Sequence, residues 1–169
     1  MTKLNQNRWS RYILMAMLLL AAVAILPNTS FAQNISKGCS SSGSPFTLND
    51  SQNWQTLCSQ TVTFNSGTHD CVGIGSAQMN NTVIDGHNIY RFTVSKTKNP
   101  DTDTAWERRI DVLQGDGLDP IEVPVSTVHQ FKDLTAGTYT FYWLGRKDEG
   151  AENLAVTQWS MGLVCTDGN

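Results

Sequence analysis

From residue 61 onward, apolar and polar positions alternate with a period of two, the spacing that sends successive side chains to opposite faces of a strand. Thr61, Val62, Thr63 and Phe64 alternate, and residues 65–68 (Asn-Ser-Gly-Thr) form a turn signal. Residues 71–79 carry Gly73 and Gly75, which predicts a bent or bulged strand. In 88–95, Tyr90, Phe92 and Val94 fall on one face and Arg91, Thr93 and Ser95 on the other. In 108–113, Ile110 and Val112 are the inward positions. A Gly/Asp/Pro cluster at 114–120 precedes 121–128, and a second turn at 133–137 precedes 138–144. That last run, Thr-Tyr-Thr-Phe-Tyr-Trp-Leu, has the most β-favouring composition in the chain. After a charged loop at 147–153, residues 156–165 place Trp159, Met161, Leu163 and Cys165 on one face.

Upstream the pattern weakens. Residues 33–50 are rich in Ser, Gly and Asn and read as an irregular arm, while 51–58 are compatible with one turn of helix capped by Asp50 or Ser51. Beyond residue 32, helical i, i+3, i+4, i+7 spacing is nowhere sustained over three turns. Seven or eight short strands separated by Gly/Asp/Pro turns predict an all-β fold, an antiparallel two-sheet β-sandwich in which two apolar faces bury each other. The expected division is a leader at 1–32, a Ser/Gly-rich arm at 33–60 and a β-sandwich domain at 61–169.

The leader reading rests on its own pattern. Lys3, Arg8 and Arg11 precede an apolar run of 14 residues from Ile13 to Leu26, and Pro27 ends it. Ser30-Phe31-Ala32 then offers small residues where a signal peptidase reads them. A membrane span needs roughly 20 apolar residues, so the run predicts a cleaved secretory signal and a secreted protein, periplasmic or extracellular. Cleavage after Ala32 would leave 137 residues. Three of the 12 basic residues and none of the 15 acidic ones go with the leader, giving a mature charge of −6. That balance disfavours nucleic acid and anionic lipid, and no second apolar run implies membrane insertion of the mature chain.

Cys39, Cys58, Cys71 and Cys165 all follow the leader. An even count in an exported chain reads as two disulfides, whereas zinc thiolate sites use close Cys-x-x-Cys pairs and these cysteines are at least 13 residues apart. Three pairings are open. Cys39 with Cys58, closing a local loop, and Cys71 with Cys165, tying an early strand to the last, is the favoured set.

Leu134-Thr-Ala-Gly-Thr-Tyr-Thr-Phe141, a Gly turn feeding an aromatic strand, resembles the late strands of secreted jelly-roll domains of the C1q/TNF-like kind, and 150–165 follow in a compatible order. The likeness spans about a quarter of the mature chain. It implies a binding or assembly module, often a trimer, so a homo-oligomer is among the expected states.

Catalytic patterns mostly fail on inspection. A nucleophile elbow needs Gly two positions before and after its Ser, but Ile74 and Gln78 flank Ser76, and Gln158 precedes Ser160. Residues 99–103 (Asn-Pro-Asp-Thr-Asp) resemble the start of a calcium loop, yet Thr104 and Ile110 stand where an EF-hand requires Gly and Glu. A looser calcium site using Asp101 and Asp103, with Asp116 or Asp119 adding a ligand, competes with a solvated acidic turn; no other cofactor is expected. His69, His87 and His129 lack metal-ligand spacing and read as exposed loop residues. Among the aromatics, Trp106 and Tyr142 are the candidate exposed rings for stacking on a sugar or anchoring a protein. The expected function is therefore a non-catalytic binding or assembly module recognising glycan or protein. The alternative is a small exported hydrolase using carboxylates drawn from Asp101, Asp103, Glu107, Asp111, Asp116 and Asp119.

Overall fold

The structure is a computed structural model that describes residues 35–41, 45–49, 53–81, 86–101, 107–114, 121–150 and 153–168. Residues 1–32, expected to be a leader, lie outside the described residues. Among them there is no helix, and seven strands form one antiparallel sheet. These are β1 (Ile35–Ser40), β2 (Phe46–Leu48), β3 (Gln55–Asn81), β4 (Gly86–Ser95), β5 (Arg108–Gln114), β6 (Ile121–Glu149) and β7 (Leu154–Asp167). Their order is β1-β7-β3-β6-β4-β5, with β2 also paired to β7.

Two expectations upstream of residue 61 are corrected. The irregular arm contains β1 and β2, both laid against β7, with Ile35 opposite Cys165 and Leu48 opposite Leu154. The expected helical turn is replaced at Gln55–Cys58 by the start of β3; Asp50, Ser51 and Gln52 lie outside the described residues. Both segments are too poor in β-formers to announce themselves. Their backbone groups are satisfied by partners distant in sequence instead.

The expected short strands on either side of 65–68 are joined into β3, and those on either side of 133–137 into β6. The two turn signals face each other in one ladder. Phe64 pairs with Gly137, Thr68 with Thr135, and the register shifts between them. Gly67 (φ 80°), Asp133 (φ 55°) and Gly137 (φ 153°) adopt conformations that most side chains resist. The β3–β6 ribbon can thus bend sharply without breaking.

Gly73 and Gly75 do not mark a bulge, for the register with β6 runs unbroken from Cys71 to Asn81. They make room. A Cβ on Gly75 would lie 2.3 Å from Trp143, and one on Gly73 would lie 2.7 Å from Val94. Trp143 and Val94 belong to the far side of the bend, so the two ends of the ribbon press together. Between them sit Val62, Phe64, Phe92, Phe141, Met161 and Leu163, all at most 2% exposed. Phe92 meets Trp143 with ring centroids 5.6 Å apart, and Phe131 meets Phe141 edge-on at 4.9 Å. Phe141 and Trp143 of β6 and Met161, Leu163 and Cys165 of β7, the last three on the shared face read for 156–165, are all buried in this core; Tyr139 and Trp159 are partly buried against it.

Strand β4 departs from the simple alternation. Arg91, Thr93 and Ser95, expected outside, are buried along with Tyr90, Phe92 and Val94. The Arg91 guanidinium donates to Asp148 at 2.7 Å and to Glu107 at 3.1 Å. Arg146 donates to the other oxygen of Asp148, and Trp54 lies over its guanidinium at 5.1 Å. The Trp54 indole N–H in turn donates to the Pro100 carbonyl at 3.1 Å. Glu107 and Asp148 therefore pair with Arg91, Asp148 and Trp54 engage Arg146, and these buried cations are paired, as burial demands.

Both disulfides join the favoured partners. Cys71 and Cys165 sit directly opposite each other on β3 and β7 and are fully buried. Cys39 and Cys58 tie β1 to the first half of β3. Beside that bond the Lys37 ammonium donates to the Thr61 carbonyl at 2.6 Å, and the Gln60 amide donates to the Gly38 carbonyl at 2.8 Å.

Candidate functional site

The residues singled out in the sequence scatter. Trp106 and Asp103 lie outside the described residues, as do Asp116 and Asp119. Asp101 is exposed. Tyr142 is half-buried on β6, opposite Ser59 on one side and Ser95 on the other. The Lys98 ammonium lies 5.8 Å from its ring centre, within cation–π range. Glu107 is engaged by Arg91, and Asp111 accepts from Arg109 at 2.8 Å on the surface. Among the described residues, no three His, Cys, Asp or Glu side chains converge as a metal site would require.

The histidines are not uniformly exposed. His87 is, but His69 is only 3% exposed, stacked on Phe64 at 4.1 Å. Its Nε2 donates to the Ser66 carbonyl at 2.7 Å, and its Nδ1 lies 3.1 Å from the Asp167 carboxylate without hydrogen-bond geometry. The sequence suggested a turn here; the bend folds that turn inward and buries the ring. His129 is half-buried, stacked on Phe131, and its Nδ1–H donates to the Val94 carbonyl at 2.6 Å. Burial holds its pKa below the ordinary 6.5, the hydrogen bond to Val94 opposes that shift, and the nearby Lys96 charge adds to it.

What the structure does bring together are serines. Ser76 stands opposite Ser126 of β6 and Ser160 of β7, and Ser160 stands opposite Ser40 of β1. All four are exposed and form one row across four strands, with the Ser76 and Ser160 hydroxyls 2.8 Å apart. The row lines an open cavity of about 1050 Å³. Gln78, Gln158, Trp159 and Arg108 also line it, and its described lining residues include no carboxylate. Gln78 donates to Glu122 at 2.6 Å just beyond.

The next row across the same strands is Val128, Ile74, Gly162 and Gly38. The one after is Gln130, Val72, Val164 and Ser36. Ile74, Val128 and Val164 are 48%, 52% and 49% exposed, the most exposed large apolar side chains among the described residues. A Cβ on Gly162 would meet nothing within 4 Å. Three successive rows thus expose hydroxyls, methyls and bare backbone with no charge.

This surface was not legible locally. Ser76 and Ser160 drew notice only as failed nucleophiles, and nothing in the spacing of positions 40, 76, 126 and 160 hints that they align. Only the cross-strand register shows it. The arrangement sets hydrogen-bond donors and acceptors beside aliphatic groups. The chain matches no protein-family model and no curated protein.

Proposed function

We propose that this is an exported, disulfide-tied, non-catalytic module that binds a glycan or protein partner through the open cavity along the serine row. In this reading the bent β3–β6 ribbon folds the sheet into two facing layers, jelly-roll fashion. The close approach of Gly75 and Trp143 supports that architecture. The observation that carries the functional reading is the cavity itself: hydroxyl, amide and indole groups around about 1050 Å³, large enough for a small organic ligand. Two disulfides fit an oxidising destination.

The test is a glycan array probed with the full chain expressed with its leader into an oxidising compartment, run beside a hydrolase screen on the same sugars. Binding without product release is the expected result. Release of shortened sugars would instead assign the carboxylate-dependent hydrolase.

A further inference from the structure

We infer that the three uncharged rows around Ser76, Ile74 and Val164 form an extended binding face for a neutral oligosaccharide lying across the strands. The inference rests on the binding-module reading and narrows it to one ligand class and one surface.

Charge is the first argument. The three rows carry no ionisable side chain, and among the described residues lining the cavity beside the serine row Arg108 is the one charge, so a cationic ligand meets no carboxylate there and an acidic one meets a single guanidinium at the margin. Geometry is the second. With strands about 4.8 Å apart, four serines in a row span about 14 Å, the reach of a short oligosaccharide rather than of one ring. Hydroxyls can both donate and accept, so the serine row suits a ligand bearing many hydroxyls of its own. Beside that row, the methyl groups of Ile74 and Val128 face solvent and can cover the C–H side of a sugar ring. The bare backbone at Gly162, where an added Cβ would meet nothing within 4 Å, leaves a shallow trough next to them.

A second copy of the chain is the competing occupant, and area disfavours it. Three half-exposed aliphatic side chains lie within the few hundred Å² of apolar patch that monomers carry. A stable protein interface uses roughly 800 Å² per partner.

The experiment measures retention of the full chain, processed by its host, in native gels containing dextran, mannan, xylan or a soluble β-1,3-glucan, with alginate as the acidic comparison. Three variants are compared. Gly162→Glu fills the trough with a charge where a side chain meets no atom, Ser160→Ala removes one hydroxyl of the row, and Thr63→Glu places the same charge on exposed β3 surface outside the face. At least one neutral polysaccharide is expected to retard the parent, Gly162→Glu to weaken it about tenfold or more, Ser160→Ala to weaken it less, and Thr63→Glu to leave it unchanged. Neutral-sugar binding that ignores Gly162→Glu and Ser160→Ala overturns this face while leaving the module reading intact. Retention by alginate alone overturns the neutral class. No retention by any sugar overturns the inference, and a dimer lost in Gly162→Glu by light scattering would then assign the face to a second copy. Thermal melts of each variant show whether a loss of binding is a loss of fold; should Gly162→Glu fail to fold, the contrast between Ser160→Ala and Thr63→Glu decides.

Discussion

At the scale of single residues, glycine plays opposite parts in one strand pair. Gly75 is a socket for Trp143, so Gly75→Ala must displace a fully buried indole. It is expected to lower stability by about 1–3 kcal/mol, measured by urea unfolding. Gly162 is open, and Gly162→Ala is expected to be neutral or slightly stabilising, because alanine narrows the unfolded ensemble and strains nothing. A second residue-scale expectation concerns acid. The folded state resists protonating His129, whereas the unfolded chain protonates near pH 6.5. The unfolded state therefore takes up more protons, and the His129 contribution falls as pH drops through about 6.5 and below. The melting temperature of His129→Gln is expected to decline less than that of the parent between pH 7.5 and pH 5. An equal decline would remove His129 from the account. Residue-level chemistry was the least legible from sequence: Tyr142, expected as an exposed ring, is half-buried, and His69 became buried through a bend that reads locally as a surface turn.

At the scale of elements, strands with strong alternation announced themselves and weak ones did not. The runs at 88–95, 138–144 and 156–165 lie within β4, β6 and β7, because aromatic and branched side chains favour a pleated surface wherever it is built. β1 and β2 escaped because their stability comes from β7, more than a hundred residues away. The fusion of turn-separated runs into β3 and β6 was hidden for a related reason: a turn signal fixes a backbone conformation, not whether pairing stops there. The disulfides differ in the same way. Cys71 and Cys165 are buried and 94 residues apart, whereas Cys39 and Cys58 are half-buried and 19 apart. Loop-closure entropy gives the longer loop the larger effect, so the Cys71→Ala/Cys165→Ala pair is expected to cost about 1 kcal/mol more than Cys39→Ala/Cys58→Ala in thermal unfolding. Mild reductant followed by alkylation and mass spectrometry should label Cys39 and Cys58 first, since their sulfurs are the accessible pair.

At the scale of the whole molecule, the all-β fold class was legible and the proposed binding surface was not. Period-two patterning needs no knowledge of partners, and from residue 61 onward, where it is strong, the described residues form strands and no helix. A surface that exists only through the alignment of β1, β7, β3 and β6 needs the topology first. Export is a whole-molecule expectation too. If the leader acts as read, N-terminal sequencing of protein recovered after export is expected to begin at Gln33; an intact Met1 would refute the cleavage site.

The placement of β7 has a consequence for how the chain is made. Its residues Leu154–Asp167 hold β1, β2 and the distal half of β3 at once. During synthesis β1 and β2 emerge more than a hundred residues ahead of β7, so they stay without this strand partner until β7 follows. Acquisition of protease resistance by these strands is therefore expected to come together, once Leu154–Asp167 is free to pair. A nascent chain halted before Leu154 should be digested through both of its first two strands.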